Sequence, residues 1–150
     1  MLNSHSVIQK SFQQLKLEEL YGILSLRIAV FCVEQNCPYQ DIDNQDQKAQ
    51  HVFIKNKDKI IAYARIIRKS KSKAAIGRVV VDQQHRKKGL AQIIMKHCID
   101  NLKPSKTIEL SAQSYLQRFY KELGFSSTGE YYLEDDIPHE KMRLNLQGEI

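Results

Sequence analysis

The stretch between residues 78 and 95 constrains the fold of this chain more than any other. Val79–Val81 is a β-branched run that predicts a buried strand. Four residues that can carry positive charge follow at 85–88, then Gly89, and then an apolar run with helical spacing. A strand, a short loop and a helix in this order are typical of a phosphate site, because the first N–H groups of a helix have no internal acceptor.

Small residues at the start of the predicted helix strengthen this interpretation. Gly89 has no Cβ and Ala91 has a small side chain, so a ligand could approach the backbone closely there. The stretch is neither a P-loop nor a dinucleotide-binding fingerprint, since both need further glycines at fixed positions. The pattern alone leaves two alternatives open: an ordinary basic loop before a core helix, or a surface that binds nucleic acid.

The composition is that of an ordinary globular protein, with 42% hydrophobic and 27% charged residues. The length of 150 residues predicts a single domain over residues 1–150. Three cysteines are an odd number without the spacing of a zinc site, so we expect reduced thiols, no metal and a cytoplasmic location. The sequence contains neither a membrane-spanning apolar run nor a secretory signal, so no membrane partner is expected.

Strand and helix signals follow the order β-α-β-β-β-α-β-α-β-β along the chain. The predicted fold class is therefore α/β (α+β), with a mixed, mostly antiparallel central sheet, flanking helices and at least one βαβ crossover. The predicted helices span residues 17–35, 89–103 and 115–124, and Gly124 closes the last one. The predicted strands span residues 6–15, 51–55, 59–69, 74–82, 107–112, 125–134 and 139–146.

Two motifs resemble those of the GNAT superfamily of acetyl-CoA-dependent N-acetyltransferases. Residues 86–91, Arg-Lys-Lys-Gly-Leu-Ala, match the superfamily motif (Q/R)-x-x-G-x-(G/A). Further along the chain, residues 119–125 resemble its second hallmark, an aromatic pair followed by three residues and Gly-Phe. The resemblance covers residues 17 to 146 and implies the GNAT acyl-CoA N-acyltransferase fold. The segments that look like the ElaA group of this superfamily are residues 27–43, 112–120 and 134–139.

The resemblance implies a donor site for acetyl-CoA that is made mostly of backbone. Val79–Val81 would pair with the pantetheine arm, and one of its last two N–H groups would polarise the thioester carbonyl. The N–H groups of residues 87–92 would hold the pyrophosphate. Gln113 stands where the family often has an asparagine that contacts the pantetheine. The residues expected at acetyl-CoA are Val79, Val80, Val81, Arg86, Lys87, Lys88, Gly89, Leu90, Ala91, Gln92 and Gln113.

The resemblance also places Tyr120 at the position of the general acid, which protonates the departing coenzyme A thiolate. A tyrosine suits this role because its hydroxyl carries a proton at neutral pH. The alternative is an aromatic residue that packs the last helix against the sheet. Cys32 and Cys37 could form a covalent acetyl-enzyme, but no base is spaced to activate either thiol. We therefore expect direct transfer in a ternary complex.

The general base that deprotonates the attacking amine has several candidates in the sequence. Glu34 shares a helix face with Arg27, so it could be a base or simply the partner of that arginine. His139 is a candidate because the unperturbed pKa of a histidine suits the task, and His51 is a candidate for the same reason. Glu109 lies near the position of a base in some relatives, but strand alternation would point its side chain away from that face.

The expected partners are acetyl-CoA and a primary amine, with the protein as a monomer or homodimer. The acidic segments 41–46 and 134–136 would form a negative rim that attracts a cationic acceptor. The net charge of +6 leaves two alternatives, a module that binds nucleic acid through residues 55–73 and 85–88 or a non-catalytic acyl-CoA-binding protein. The basic runs lack the aromatic interleaving and the sequence motifs of RNA-binding proteins, so no nucleic-acid partner is expected.

Overall fold

The computed structural model describes residues 5–146, which form seven strands and three α-helices in the predicted order. The strands are β1 (Ile8–Ser11), β2 (Gln50–Asn56), β3 (Lys59–Arg68), β4 (Lys73–Val81), β5 (Thr107–Gln113), β6 (Ser126–Glu134) and β7 (Ile137–Asn145). The helices are α1 (Leu17–Arg27), α2 (Leu90–Asp100) and α3 (Gln117–Glu122). The helix predicted over residues 17–35 is therefore divided, because α1 continues as a π-helical segment, Ile28–Glu34.

The seven described strands lie in one sheet of order β1-β2-β3-β4-β5-β7-β6. β4 and β5 pair in parallel and are joined through α2, as a parallel pair requires. Every other pair of neighbours is antiparallel, and β2 and β3 form a hairpin. The mixed, mostly antiparallel sheet with flanking helices confirms the predicted fold class.

Helices cover both faces of the sheet because apolar side chains alternate along its strands. In β2, Val52 faces α2 and packs in one core with Leu90 and Ile94 of that helix. The next residue, Phe53, faces the opposite side and packs in a second core with Ile23 of α1. We refer to these two sides as the α2 face and the α1 face of the sheet.

β4 and β5 separate after a short parallel ladder. Their pairing ends at Ala75 and Glu109, although both strands continue beyond these residues. The pairing of β4 with β3 shifts register near Arg78, whose φ of 53° lies in the left-handed region. Because such a bulge bends the strand that contains it, the second half of β4 diverges from β5 and a cleft opens between them.

A buried ionic network fixes this bulge to the rest of the protein. The fully buried Arg27 donates hydrogen bonds to Asp41 at 2.8 Å and to Asp46 at 2.7 Å. Arg78 in the bulge lies 2.8 Å from Asp41, and Arg65 of β3 donates to Asp46 at 3.0 Å. The carboxylates thus join α1, β3 and β4 through one loop.

Replacement of Arg27 by methionine removes the central cation and leaves the buried Asp41 and Asp46 with one arginine each. We expect Arg27→Met to lower the free energy of unfolding by about 3–5 kcal/mol in a denaturant titration. The matched control is Lys103→Met, since Lys103 forms an exposed pair with Asp100 at 3.7 Å. The control should cost less than about 1 kcal/mol. A similar small cost for Arg27→Met would contradict the structural role given to the network.

Candidate active site

A cleft of about 1050 Å³ lies where β4 and β5 separate. Its walls come from the second halves of these strands, the start of α2, α3, the π-helical segment and the β6–β7 hairpin. Every residue predicted at the acetyl-CoA site lines this cleft except Lys88, which lies exposed in the loop before α2. The three predicted catalytic residues, Tyr120, Glu34 and His139, also line it.

The first turn of α2 presents free backbone donors to the cleft. The first bond of the helix runs from the Ile93 N–H to the Gly89 carbonyl at 3.1 Å, so the N–H groups of residues 90–92 precede it. No side chain caps this end of the helix. Gly89 has φ of 78°, and a Cβ there would meet no atom within 4 Å. Open space therefore borders a group of free donors, which suits an anion.

The backbone of β4 offers a second binding element. One edge of β4 pairs with β3 as far as Val81, whereas the edge toward β5 is unpaired after Ala75. An extended ligand could therefore add to β4 as a strand would. At the end of β5, the Gln113 side chain donates to Gln35 at 3.2 Å, which links β5 to the segment after α1.

Arg86 and Glu34 form an ion pair at the mouth of the cleft. Two guanidinium nitrogens of Arg86 donate to the Glu34 carboxylate at 2.5 and 2.8 Å, and its Nε donates to the Val81 carbonyl at 3.1 Å. The hydrogen bond from Arg86 lowers the pKa of Glu34, which weakens this carboxylate as a base. Arg27, the partner considered from helical spacing, binds the loop aspartates instead.

Tyr120 lies in α3 with 6% of its surface exposed. Its ring packs edge-on against Phe119 and Phe125, with ring centroids 5.0 and 6.1 Å apart, which holds the side chain in place. Burial raises the pKa of Tyr120 to about 12, so the hydroxyl is protonated at neutral pH. Among the hydrogen bonds of residues 5–146, none involves this hydroxyl. It is therefore free to donate a proton into the cleft.

His139 of β7 faces the same cleft and is 7% exposed. Its Nδ1 lies 2.7 Å from the Ile137 carbonyl, which can only accept, so Nδ1 holds the proton of the neutral ring. The Nε2 atom consequently has a lone pair, and Glu134 Oε2 lies 3.8 Å away from it. The ring stacks on Tyr132 with centroids 6.1 Å apart. This geometry leaves Nε2 available to accept a proton.

The other two base candidates are engaged in structural contacts. His51 is fully buried and does not line the cleft. Its Nε2 donates to the Asp46 carbonyl at 2.9 Å, so its Nδ1 accepts from the Tyr63 hydroxyl at 2.7 Å. Glu109 lies on the same face of β5 as Gln113 and lines the cleft, contrary to the expectation that it points away. Its carboxylate is bound by cations of β4 and β7.

Segments 41–46 and 134–136 were both predicted to form an acidic rim, but the first of them does not contribute to it. Asp41 is buried by the arginine network, and Arg65 donates to both oxygens of Asp43 at 2.9 and 2.8 Å. The first segment therefore cannot offer free charge to a ligand, and the expectation is wrong for these residues. Glu134 and Asp135 of the β6–β7 hairpin do line the cleft.

The sequence interpretation missed several residues that line the cleft. Glu130 and Tyr132 of β6 and Ser111 of β5 belong to this group. Tyr132 lies opposite His139 in the β6–β7 pairing, and its hydroxyl makes a short hydrogen bond with Ser111. Period-two alternation along β6 and β7 would have placed Tyr132 beside His139, but only once their register was known.

The chain belongs to the GNAT family of acetyltransferases, since the family model for the acetyltransferase (GNAT) domain matches residues 10–146. It is 41% identical to protein ElaA of Escherichia coli over 84% of this chain and 87% of that protein. A UPF0039 protein of Schizosaccharomyces pombe is 42% identical over 93% of this chain and 96% of its own. These findings confirm the resemblance to the ElaA group and support an acyltransferase.

Solved structures agree with this assignment. The crystal structure of Escherichia coli ElaA superposes with a TM-score of 0.88 and 36% identity, covering 95% of this chain and 100% of that chain. An acyl-CoA N-acyltransferase from Pseudomonas aeruginosa superposes with a TM-score of 0.87 and 36% identity, covering 93% of this chain and 99% of that chain.

Within the described residues, no helix is long and apolar enough to cross a membrane.

The ionisation of Asp43 makes the stability of the folded protein depend on pH. Burial opposes its ionisation, but the hydrogen bonds from Arg65 and Gln45 outweigh burial and lower its pKa from 3.8 to about 2. A folded-state pKa below the unfolded value stabilises the protein above pH 3.8, and this contribution is lost as the pH falls toward 2.

We therefore expect Asp43→Asn to lower the free energy of unfolding by about 1–2 kcal/mol at neutral pH. The difference from the wild-type protein should shrink as the pH falls from 4 toward 2, measured by urea unfolding at several pH values. A difference that stays constant over this range would show that Asp43 does not act through its charge.

Proposed function

We propose that the protein transfers the acetyl group of acetyl-CoA to a primary amine, by direct attack of the amine in a ternary complex. The observation that carries this proposal is the cleft between β4 and β5, which is lined by both an uncapped helix start and Tyr120 with its free hydroxyl. Membership of an acyltransferase family supports the donor as an acyl-CoA. That the acyl group is an acetyl group and that the acceptor is a primary amine goes beyond the family and is part of the proposal.

The donor binds mainly through backbone in this proposal. The free N–H groups of Leu90, Ala91 and Gln92 receive the pyrophosphate, and Lys87 adds positive charge nearby. The unpaired edge of Val79–Val81 hydrogen-bonds the pantetheine arm, and an N–H of Val80 or Val81 polarises the thioester carbonyl. The Gln113 amide gives one hydrogen bond to Gln35 and has capacity left for the pantetheine. Arg86 and Lys88 contribute charge at the mouth.

Tyr120 serves as the general acid. The amine nitrogen forms a bond to the thioester carbon, and the carbon–sulfur bond then breaks with its electron pair on sulfur. The leaving thiolate takes the proton of the Tyr120 hydroxyl, which solvent water later restores. Because the pKa of Tyr120 is raised to about 12, the hydroxyl is protonated at the start of each catalytic cycle.

His139 serves as the general base, with Glu34 as the weaker candidate. An amine is mostly protonated at neutral pH, so a group must remove its proton before or during attack. His139 offers a free Nε2 lone pair in the cleft, whereas both oxygens of Glu34 accept hydrogen bonds from Arg86. Glu134, 3.8 Å from Nε2, would stabilise the imidazolium that forms.

The amine reaches this site past an acidic wall. Glu130, Glu134 and Asp135 line the cleft on the β6–β7 hairpin. Over residues 5–146, none of these three carboxylates is paired with a lysine or arginine. Their charge therefore attracts an ammonium group toward His139.

The proposal is tested by mixing the protein with acetyl-CoA and a panel of primary amines, and by measuring the free thiol that is released. We expect thiol release that depends on both the amine and the protein, with an acetylated amine of matching mass as the second product. Acetyl-CoA binding by calorimetry without thiol release for any amine would identify a non-catalytic acyl-CoA-binding protein instead.

Two variants in the loop before α2 separate backbone from side-chain binding. Gly89→Val places a branched side chain at a left-handed φ of 78° beside the proposed pyrophosphate position. We expect it to weaken acetyl-CoA binding at least about 100-fold in calorimetry. Lys87→Ala removes one exposed charge and should weaken binding only about threefold. If Lys87→Ala were the more damaging change, side-chain charge would be the main binding element.

Tyr120→Phe removes the proposed acid but keeps the aromatic ring that packs on Phe119 and Phe125. We expect kcat to fall by about 100-fold or more, and the Kd for acetyl-CoA to change little. Tyr21→Phe is the matched control, since Tyr21 is 80% exposed and does not line the cleft. Equal kcat values for the two variants would exclude Tyr120 as the acid.

A further inference from the structure

One buried carboxylate on the α1 face of the sheet is surrounded by three cations. Glu109 of β5 is bound by Arg143 Nη2 at 2.7 Å, and by Lys73 Nζ and Lys141 Nζ at 3.5 Å each. The Glu109 side chain is only 10% exposed, whereas the three cations are 33–43% exposed. This group of side chains therefore carries an excess of positive charge, and Lys141 is the one of the three cations that lines the cleft.

One of these three cations is enough to balance the charge of Glu109. Arg143 alone donates two hydrogen bonds to Glu109, from Nε at 3.1 Å and from Nη2 at 2.7 Å. Such a pair already balances one carboxylate with good geometry. Lys141 adds a long contact of 3.5 Å, which leaves the donors of its ammonium group largely unused. Lys141 also lines the cleft, so these donors are accessible to a bound molecule.

The position of Lys141 relates this charge to the proposed site of transfer. Lys141 and His139 are two residues apart on β7, so their side chains lie on the same face about 7 Å apart at the backbone. Ser111 lies opposite Lys141, and Gln113 lies opposite His139. Glu134 and Asp135 lie at the His139 end, whereas Glu130 precedes Tyr131, the partner of Glu140, and so lies nearer to Lys141. The three cations at the Lys141 end outnumber Glu109 and Glu130, so this end of the face is more positive than the His139 end.

We propose that the acceptor has a carboxylate in addition to its amine, and that Lys141 binds this carboxylate while the amine lies at His139. This inference rests on the proposed function and names the substrate class of the same site. The separation along β7 requires a spacer, and a chain of about four or five methylene groups spans it. An α-amino acid that reacts at its own α-amine is too short to reach both ends.

Matched acceptors test the inference. The long pair is 6-aminohexanoate and 6-aminohexanamide, which differ in the charge of the carboxylate. The short pair is glycine and glycinamide, which differ in the same way. Thiol release gives kcat/KM for each. For the long pair, the wild-type protein should prefer the carboxylate by about tenfold or more, the value of a hydrogen bond to a charged group. The short pair should show no such preference.

Two substitutions act on the preference in opposite directions. Lys141→Gln should reduce the carboxylate preference of the long pair by about tenfold, whereas Lys96→Gln, on the exposed side of α2, should retain it. Glu109→Gln removes the anion that competes for the same cations, so it should increase the preference and lower the KM for 6-aminohexanoate. Calorimetry with acetyl-CoA on each variant identifies those that are folded.

The outcomes separate this inference from the proposed function. Thiol release with equal kcat/KM for the long carboxylate and its amide overturns the inference and leaves the proposed function intact. A Lys141→Gln variant that lowers both values by the same factor also overturns it, because the lysine then acts on the fold alone. Absence of thiol release with every amine overturns both.

Discussion

The separation of β4 from β5 after Ala75 and Glu109 is the constraint on which the other features of the site depend. It leaves one edge of β4 unpaired, and it places the start of α2 and the Tyr120 hydroxyl around the same opening. The separation is maintained by the bulge at Arg78, and Arg78 is held by Asp41. The buried network centred on Arg27 therefore acts on the shape of the cleft as well as on stability.

The segment after α1 connects the two sides of the cleft. Glu34 is bound to Arg86 in the loop before α2, and Gln35 is bound to Gln113 at the end of β5. Cys37 Sγ lies 3.7 Å from the Asp135 carbonyl in the β6–β7 turn. The segment of residues 34–37 thus joins the loop before α2, the end of β5 and the β6–β7 turn.

Local signals predicted the order of elements and the strand, loop and helix start that border the cleft. Gly89 before an apolar helical run, and β-branched Val79–Val81 before the loop, specify their own conformations, so sequence alone was sufficient. Non-local pairings were not predictable in this way. Nothing near Asp41 in the sequence indicates that a buried arginine from α1 and another from β4 neutralise it.

The prediction for Glu34 shows a second physical limit. α-Helical spacing places Glu34 on the same face as Arg27. The segment Ile28–Glu34 is π-helical, with bonds such as Gln35 N–H to the Val30 carbonyl at 3.1 Å. Each extra residue in such a turn rotates the following side chains by about 100° relative to an α-helix. Glu34 consequently points toward Arg86, and no sequence pattern indicated the π-turn.

The central claim is that the backbone of β4 and of the first turn of α2 binds the acyl-CoA. Amide hydrogen exchange, measured with and without acetyl-CoA, tests it most directly. The account predicts slower exchange at Val79–Val81 and at residues 90–92, and no change in β1 and β2. Protection confined to the basic loop at residues 69–73, with unchanged exchange at β4 and α2, would contradict it.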